Sequence, residues 1–108
     1  MSNSEILIVA SPPAAGIVSA LGALAHEHRL AVFRALVETG PAGLSAGEIA
    51  GRVGLPLSSL TFHTQALVRS GLIRQQRSGR QIIFTADFEA MRVLIAFLTQ
   101  DCCGGAPC

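Results

Sequence analysis

The stretch from Leu55 to Ile73, LPLSSLTFHTQALVRSGLI, constrains the fold of this chain more than any other. A turn at Gly54-Leu55-Pro56 ends one helix. The next helix begins at Leu57 or Ser58, where a serine can cap the free backbone N–H groups. Gly71 ends this helix, since a residue without a Cβ suits a left-handed cap. One inward-facing stripe recurs at helical spacing and consists of Leu60, Thr64, Leu67 and Gly71.

The opposite side of this predicted helix carries hydroxyls, an amide, a guanidinium and one aromatic ring. At about 100° per residue, these groups belong to Ser58, Thr61, Phe62, Gln65 and Arg69. Such side chains can reach base edges and phosphates in a DNA major groove. The pattern therefore predicts a recognition helix. His63 lies about 60° from the middle of the inward stripe, a position that favours a partly buried structural histidine over a DNA contact.

The charge distribution also favours a polyanionic partner. The net charge is only +1, but no acidic residue lies between Glu48 and Asp87. That segment contains Arg52, Arg69, Arg74, Arg77 and Arg80, a charge of +5. A charge run is usually a solvated face, but one without opposite signs favours nucleic acid. All eight basic residues are arginines, which suit bidentate recognition of phosphate or guanine.

The remaining pattern predicts a single, mainly helical domain. Further helices are expected from Pro12 or Pro13 to about Leu24, at 27–38 with Leu30, Phe33, Leu36 and Val37 inward, and at 87–99. A short helix begins at Ser45, where Glu48 completes a capping box, and forms a helix-turn-helix with the recognition helix. Residues 1–13 form an N-terminal segment of uncertain order, residues 14–99 the domain, and residues 100–108 a cysteine-rich tail.

A two-stranded β-hairpin, or wing, is predicted after Gly71. Leu72 and Ile73 begin one strand and 81–85 form the other, around an Arg77-Ser78-Gly79-Arg80 tip. This arginine pair could straddle backbone phosphates or enter the minor groove. The candidate DNA-binding residues are Ser58, Ser59, Thr61, Phe62, His63, Gln65, Arg69, Arg77 and Arg80.

The first and last predicted helices carry more apolar surface than a monomer of 108 residues needs to bury. Half of the chain is apolar. The excess predicts a homodimer in which these helices pair. The candidate interface residues are Ile17, Leu21, Leu24, Phe88, Met91, Leu94, Ile95 and Leu98.

All three cysteines, Cys102, Cys103 and Cys108, lie in the last seven residues. Without a long apolar span or a secretory signal, we expect no membrane association and a cytoplasmic protein whose thiols stay reduced. An odd number of cysteines in a tail is a poor disulfide framework. Thiolates select soft ions, and three sulfurs suit trivalent arsenic or antimony better than zinc, which prefers four ligands. The alternative is a tail with incidental thiols.

The sequence does not suggest an enzyme or a catalytic cofactor. No set of nucleophile, base and orienting residue is apparent. The adjacent cysteines also lack the spacer of a Cys-x-x-Cys redox motif.

Five phrases resemble the ArsR-type family of arsenic- and metal-responsive winged-helix repressors. They are Leu24-Ala25-x-x-x-Arg29-Leu30, Glu48-Ile49-Ala50, Ser58-Ser59-x-Thr61-x-His63, Gly71-Leu72-Ile73 and Arg77-x-Gly79-Arg80. The resemblance covers about residues 17–98. It implies a winged helix-turn-helix homodimer, built from the first and last helices, that binds a two-fold operator in double-stranded DNA.

The resemblance also directs attention to the tail. The family's cysteine pair ahead of the recognition helix would fall at 45–47 and is absent, and no histidine follows His63 to supply the family's site on the last helix. Some members sense arsenic with cysteines at the end of the last helix, and this tail is similar to theirs. The expected function is a repressor released by trivalent arsenic or antimony. Cadmium, lead, an organoarsenical held by two thiols, or thiol oxidation are the alternatives.

Overall fold

The computed structural model describes residues 12–108, with side chains from Gly16 onward. Its elements are α1 (Pro12–Leu24), α2 (Glu27–Thr39), β1 (Leu44–Ser45), α3 (Ala46–Val53), α4 (Leu57–Arg69), β2 (Ile73–Ser78), β3 (Gln81–Ala86), α5 (Phe88–Thr99) and a 3-10 turn (Cys102–Gly105). Five helices with a wing confirm the predicted fold class. The N-terminal segment of uncertain order was predicted to span residues 1–13. Residues 1–11 of that segment lie outside the described part of the chain.

The core lies where α2 and α4 pack against the sheet. Its most completely buried side chains are Val32, Leu36, Ile49, Leu60, Thr64, Leu67 and Leu72. The inward stripe of α4 is thus confirmed over Leu60, Thr64 and Leu67. The prediction for α2 was wrong at Leu30, which is 46% exposed. The helix buries Val32 instead, and Leu30 lies about 200° away from it around the axis.

The wing is tighter than predicted. Strands β2 and β3 pair antiparallel from Ile73↔Ala86 to Ser78↔Gln81, so only Gly79 and Arg80 form the turn. Gly79 has a φ of 64°, which a glycine at the first position of a two-residue hairpin adopts without strain.

The sheet has a third strand that the sequence pattern did not predict. Strand β1 pairs with β3 through Leu44↔Phe84 and Ser45↔Ile83, giving the order β1-β3-β2. Gly43 makes this close approach possible. Its φ is 72°, and a Cβ there would collide with the Phe84 carbonyl oxygen.

The helix-turn-helix consists of α3 and α4, and its caps follow the prediction in part. In α3, Ser45 Oγ accepts from the Glu48 N–H at 3.2 Å and the Glu48 carboxylate accepts from the Ser45 N–H at 2.8 Å, which confirms the capping box. The predicted serine cap of α4 was wrong. Its N-cap is Pro56, with no capping side chain, because Ser58 already lies inside the helix.

Gly71 closes α4 as predicted, but it is exposed rather than inward. Its φ is 81°. The Gly71 N–H donates to the Val68 carbonyl at 3.0 Å and the Leu72 N–H to the Leu67 carbonyl at 3.1 Å. These two bonds form a Schellman motif, which satisfies the last carbonyls of the helix and directs the chain into the wing.

Candidate DNA interface and thiol cluster

The outer face of α4 is exposed over its whole length. Its side chains are those of Ser58, Ser59, Thr61, Phe62, Gln65 and Arg69. Phe62 is 62% exposed, which is unusual for a large apolar side chain. Apart from the His63 imidazole, it is the only aromatic ring of α4. The Thr61 hydroxyl donates to the Leu57 carbonyl at 3.1 Å, so it can offer a DNA base an acceptor but not its proton. This face presents the predicted combination of polar groups and one apolar ring.

His63 does not belong to this outer face. It is 7% exposed, and its Nδ1 accepts a hydrogen bond from Arg29 Nε at 3.3 Å. Burial lowers the pKa of His63, and the nearby charges of His26, Arg29 and His28 lower it further. The burial and the hydrogen bond from Arg29 agree with the prediction of a structural histidine at this position. This burial does not favour the predicted DNA contact of His63, because the inward side of α4 includes His63 as well as Leu60, Thr64 and Leu67.

The wing places two arginines at the tip of the hairpin. Arg77 lies near the end of β2 and Arg80 in the turn, and both are exposed. Within the described part of the chain, neither forms an ion pair. Arg74 differs, because its Nε lies 3.0 Å from the Asp87 carboxylate. The acid-free segment therefore presents less free charge than its sequence suggests.

The predicted interface residues divide into two groups. Ile17 and Leu94 are buried, and Leu24, Phe88 and Met91 are half-buried against the core. These residues pack within the chain itself, so the predicted dimer interface rests on the exposed ones and stays a prediction. Leu21, Ile95 and Leu98 remain exposed. The sequence reasoning missed three further exposed side chains on the same helices, those of Val18, Val93 and Phe97.

The start of α5 is capped by Asp87. Its carboxylate accepts from the Ala90 N–H at 2.9 Å and pairs with Arg74. The hydrogen bond from Ala90, followed by the bond and charge of Arg74, lowers the pKa of Asp87 despite its partial burial. This cap fixes the beginning of the helix that leads to the cysteines.

The three thiol groups converge in the tail. Cys102 Sγ lies 3.4 Å from Cys108 Sγ and 3.9 Å from Cys103 Sγ. Cys103 and Cys108 are joined as a disulfide, with Cα atoms 5.9 Å apart. Positive φ values at Gly104 and Gly105 fold Cys108 back over the turn. The expectation against a disulfide was therefore wrong for this pair. All three cysteines are exposed. Among the described residues, they are the one group of three or more side chains close enough together to bind a single metal ion.

Known proteins resemble this chain in sequence and in fold. The family described as Helix-turn-helix domain matches residues 24–76. The HTH-type transcriptional regulator YgaV of Escherichia coli (strain K12) is 34% identical over 83 residues, which are 77% of this chain and 82% of that protein. An ArsR-like transcriptional regulator from Rhodococcus sp. RHA1 superposes with a TM-score of 0.70, at 27% identity, over 80% of this chain and 78% of that one.

The chain belongs to the ArsR family of winged helix-turn-helix transcriptional regulators. A homodimeric winged helix-turn-helix domain, Mb0332 from Mycobacterium bovis, shares the fold with a TM-score of 0.64 at 22% identity, over 80% of this chain and 79% of that one.

As an ArsR-family regulator, the chain has its matched family segment between Leu24 and Gln76. That segment includes the helix-turn-helix and most of β2, so the thiol cluster lies outside it. In the part of the chain that the structure describes, no helix combines the length and apolar character needed to cross a membrane. The family membership thus establishes a DNA-binding transcriptional regulator.

Proposed function

We propose that the chain is a homodimeric repressor whose operator complex is released when trivalent arsenic or antimony binds Cys102, Cys103 and Cys108. The separation of the sulfur atoms carries this proposal. A metal–thiolate bond is about 2.3 Å long, so two sulfurs on one ion are at most about 4.6 Å apart. The distances from Cys102 Sγ, 3.4 and 3.9 Å, satisfy that limit.

The composition of the site supports a metalloid over zinc. The described residues offer three sulfurs and no fourth ligand. A structural zinc site normally has four closed ligands, whereas trivalent arsenic completes its coordination with three sulfurs in a pyramid. The three sulfurs can bind an ion only as thiolates, so a small-molecule thiol must first reduce the Cys103–Cys108 disulfide by thiol–disulfide exchange, giving up two electrons and two protons and becoming a disulfide itself. Binding then strengthens as the pH rises, because the cysteine thiols must lose their protons.

A homodimer is supported by the exposed apolar surface of α1 and α5. Val18 is 70% exposed, and Ile95 and Leu98 are 54% and 57% exposed. A second copy would cover this surface and carry a second α4. Two recognition helices about 34–36 Å apart would then match successive major grooves of a two-fold operator.

The position of the tail supports coupling between inducer and DNA. Only Gln100 and Asp101 separate the end of α5 from Cys102. Closing three sulfurs around an ion therefore constrains the end of a helix in the proposed interface. An inducer shifts a protein only by its differential affinity for two forms. A coupling of about 1–3 kcal/mol would weaken operator binding roughly 5- to 150-fold.

The test is an operator-binding titration. A duplex selected by the reduced protein from random sequences would be followed by fluorescence anisotropy as As(III), Sb(III), Cd(II), Pb(II) or Zn(II) is added. We expect release by As(III) and Sb(III). Each single Cys→Ser variant should bind the duplex and respond weakly or not at all. If the triple Ser variant is still released by As(III), the inducer site lies elsewhere.

Thiol oxidation is the second candidate, because Cys103 and Cys108 are paired. The two mechanisms differ at Cys102, which is free. Cys102→Ser should keep a response to a thiol oxidant added without metal, while Cys108→Ser should lose it. Under reducing conditions both variants should lose most of the As(III) response. Release by oxidant alone, with none by reduced thiol-binding ions, would favour the oxidation mechanism.

A further inference from the structure

A cluster of nitrogen-rich side chains lies where the beginning of α2 and its N-cap meet α4. This Arg29 cluster consists of His26, His28, Arg29 and His63. The His26 and His63 ring centroids lie 4.7 Å apart, and His28 lies 5.6 Å from His63. His26 and His28 are exposed, Arg29 is half-buried and His63 is buried. The cluster thus reaches from the interior of the protein to its surface at the flank of the recognition helix.

Two interactions with α4 fix the position of Arg29. Its Nε donates to Nδ1 of His63 at 3.3 Å. Its guanidinium carbon lies 5.5 Å from the centre of the Phe62 ring, within the range of a cation–π contact. Phe62 belongs to the exposed face of α4, so a residue of α2 carries its positive charge to the edge of the proposed DNA surface.

His63 is suited to hold this arginine because it stays neutral. Burial, reinforced by the neighbouring His26, Arg29 and His28, lowers its pKa. A neutral imidazole has one acceptor nitrogen, and here Nδ1 accepts from Arg29. Arg29 has five N–H donors, and only Nε–H is engaged by a residue that the structure describes. Among the described residues, the donors at the end of the guanidinium have no acceptor, and they are available to one outside the chain.

The geometry of a DNA groove indicates which acceptor this is. The major groove is about 12 Å wide, and a helix with its side chains is about 10–12 Å across. A helix that enters the groove fills it, so elements at its flank meet the phosphates of the rim. Arg29 lies at this flank beside Phe62. The nearest acid along α2, Glu27, is exposed and forms no ion pair within the described residues.

We propose that Arg29 binds a backbone phosphate of the operator duplex and that His63 is its positioning residue. This inference rests on the proposed DNA binding and adds a phosphate contact from α2 to those of α4 and the wing. A phosphate contact carries no sequence information of its own. Arg29 therefore contributes equally to operator and to unrelated duplexes.

The salt dependence of duplex binding tests the role of Arg29. Each phosphate that the protein no longer neutralises reduces the slope of log K against log salt concentration by about 0.9, so Arg29→Ala should reduce the slope of a dimer by about 1.8. Arg29→Lys should keep most of the slope. Arg34→Ala is the matched control, because Arg34 lies on the same helix and pairs with Glu38. Its slope should equal that of the parent.

His63 is tested by a rescue experiment. His63→Ala removes the acceptor and should reduce the salt slope as Arg29→Ala does. His63→Asn places an amide oxygen where Nδ1 lies and should restore most of it. Urea unfolding of each variant separates impaired folding from impaired positioning, and Arg29→Lys retains the charge if Arg29→Ala is unstable. A parent-like slope for folded Arg29→Ala overturns the inference while leaving the proposed function intact. A parent protein that binds no duplex overturns both.

Discussion

The backbone N–H of Asp87 donates to the Leu72 carbonyl at 2.8 Å. Leu72 closes the Schellman motif at the end of α4, and Asp87 caps the start of α5. The backbone of Asp87 therefore meets the end of the recognition helix, while its side chain holds the helix that leads to the thiols. In the proposed mechanism, this connection would be the short route from a displaced α5 to α4.

The cap itself gives the first prediction. Asp87→Ala removes the acceptor for the Ala90 N–H and the partner of Arg74. Loss of a helix N-cap costs about 0.5–2 kcal/mol. We expect the free energy of unfolding in urea to fall by about 1 kcal/mol, because Arg74 is 72% exposed and its ion pair contributes little in water.

Two variants separate the cap from the charge. Asp87→Asn retains a capping oxygen and should be destabilised less than Asp87→Ala. Arg74→Ala removes only the ion pair and should change stability by a few tenths of a kcal/mol. A decrease for Arg74→Ala as large as that for Asp87→Ala would show that the ion pair, rather than the cap, stabilises this junction.

Sequence periodicity predicted the elements whose side chains repeat over several turns. Leu60, Thr64 and Leu67 are buried as expected, and the paired cap of Ser45 and Glu48 is present. These patterns involve residues only three or four positions apart, so they can be recognised in the sequence without knowledge of the tertiary structure. The order of the family phrases then extended the prediction from helices to the whole fold.

Features that depend on tertiary packing were missed. Strand β1 has two residues, too few for a periodic signal, and forms because β3 passes beside it. The hydrogen bond between Arg29 and His63 joins residues 34 positions apart. His26, His28 and Arg29 lie close together in sequence, which was the available signal, but nothing local places them beside α4. Which apolar residues of α5 are buried and which are exposed also depends on how α1 packs against α5.

The wing is expected to bind backbone phosphates. Arg77→Ala or Arg80→Ala should weaken binding to all duplexes by a similar factor, because both side chains are exposed and unpaired with acids in the described structure. The slope of log K against log salt should decrease by about 0.9 for each phosphate left without its arginine. Arg92→Ala provides a control, since Arg92 pairs with Glu89 on α5. Weakening confined to the operator would instead indicate that the arginine reads a base.

The outer face of α4 is expected to read sequence. Ser58→Ala and Gln65→Ala should reduce discrimination between operator and mismatched duplexes, by about 1–3 kcal/mol for a good base contact. Thr61→Val should have a smaller effect, because the hydroxyl proton already bonds to Leu57. Competition binding with single-base operator variants measures these differences. Unchanged discrimination in all three variants would remove α4 from sequence readout.

The proposed dimer predicts a specific effect of charge at α5. Ile95→Glu and Leu98→Glu each place a carboxylate in an apolar interface, where an unpaired charge is costly. We expect light scattering to show monomers at concentrations where the parent is a dimer, together with loss of operator binding. Ile82→Glu is the control for assembly alone, because Ile82 is also partly exposed but lies on the wing opposite Arg77, so this variant should remain a dimer. A parent protein that is monomeric at all concentrations contradicts the proposal.

The lowered pKa of His63 predicts that acid destabilises the fold. In the unfolded chain this imidazole takes up a proton as the pH falls through its ordinary pKa of 6.5, whereas burial and the neighbouring His26, Arg29 and His28 keep it neutral in the folded protein. The unfolded state then binds more protons, so stability decreases as the pH falls from 6.5 toward the lower folded pKa and is unaffected by this group above 6.5. Urea midpoints measured from about pH 8 to pH 5 should fall for the parent and vary less for His63→Asn, which keeps an acceptor for Arg29 without titrating. Equal pH profiles for the two proteins would assign the acid sensitivity to other groups.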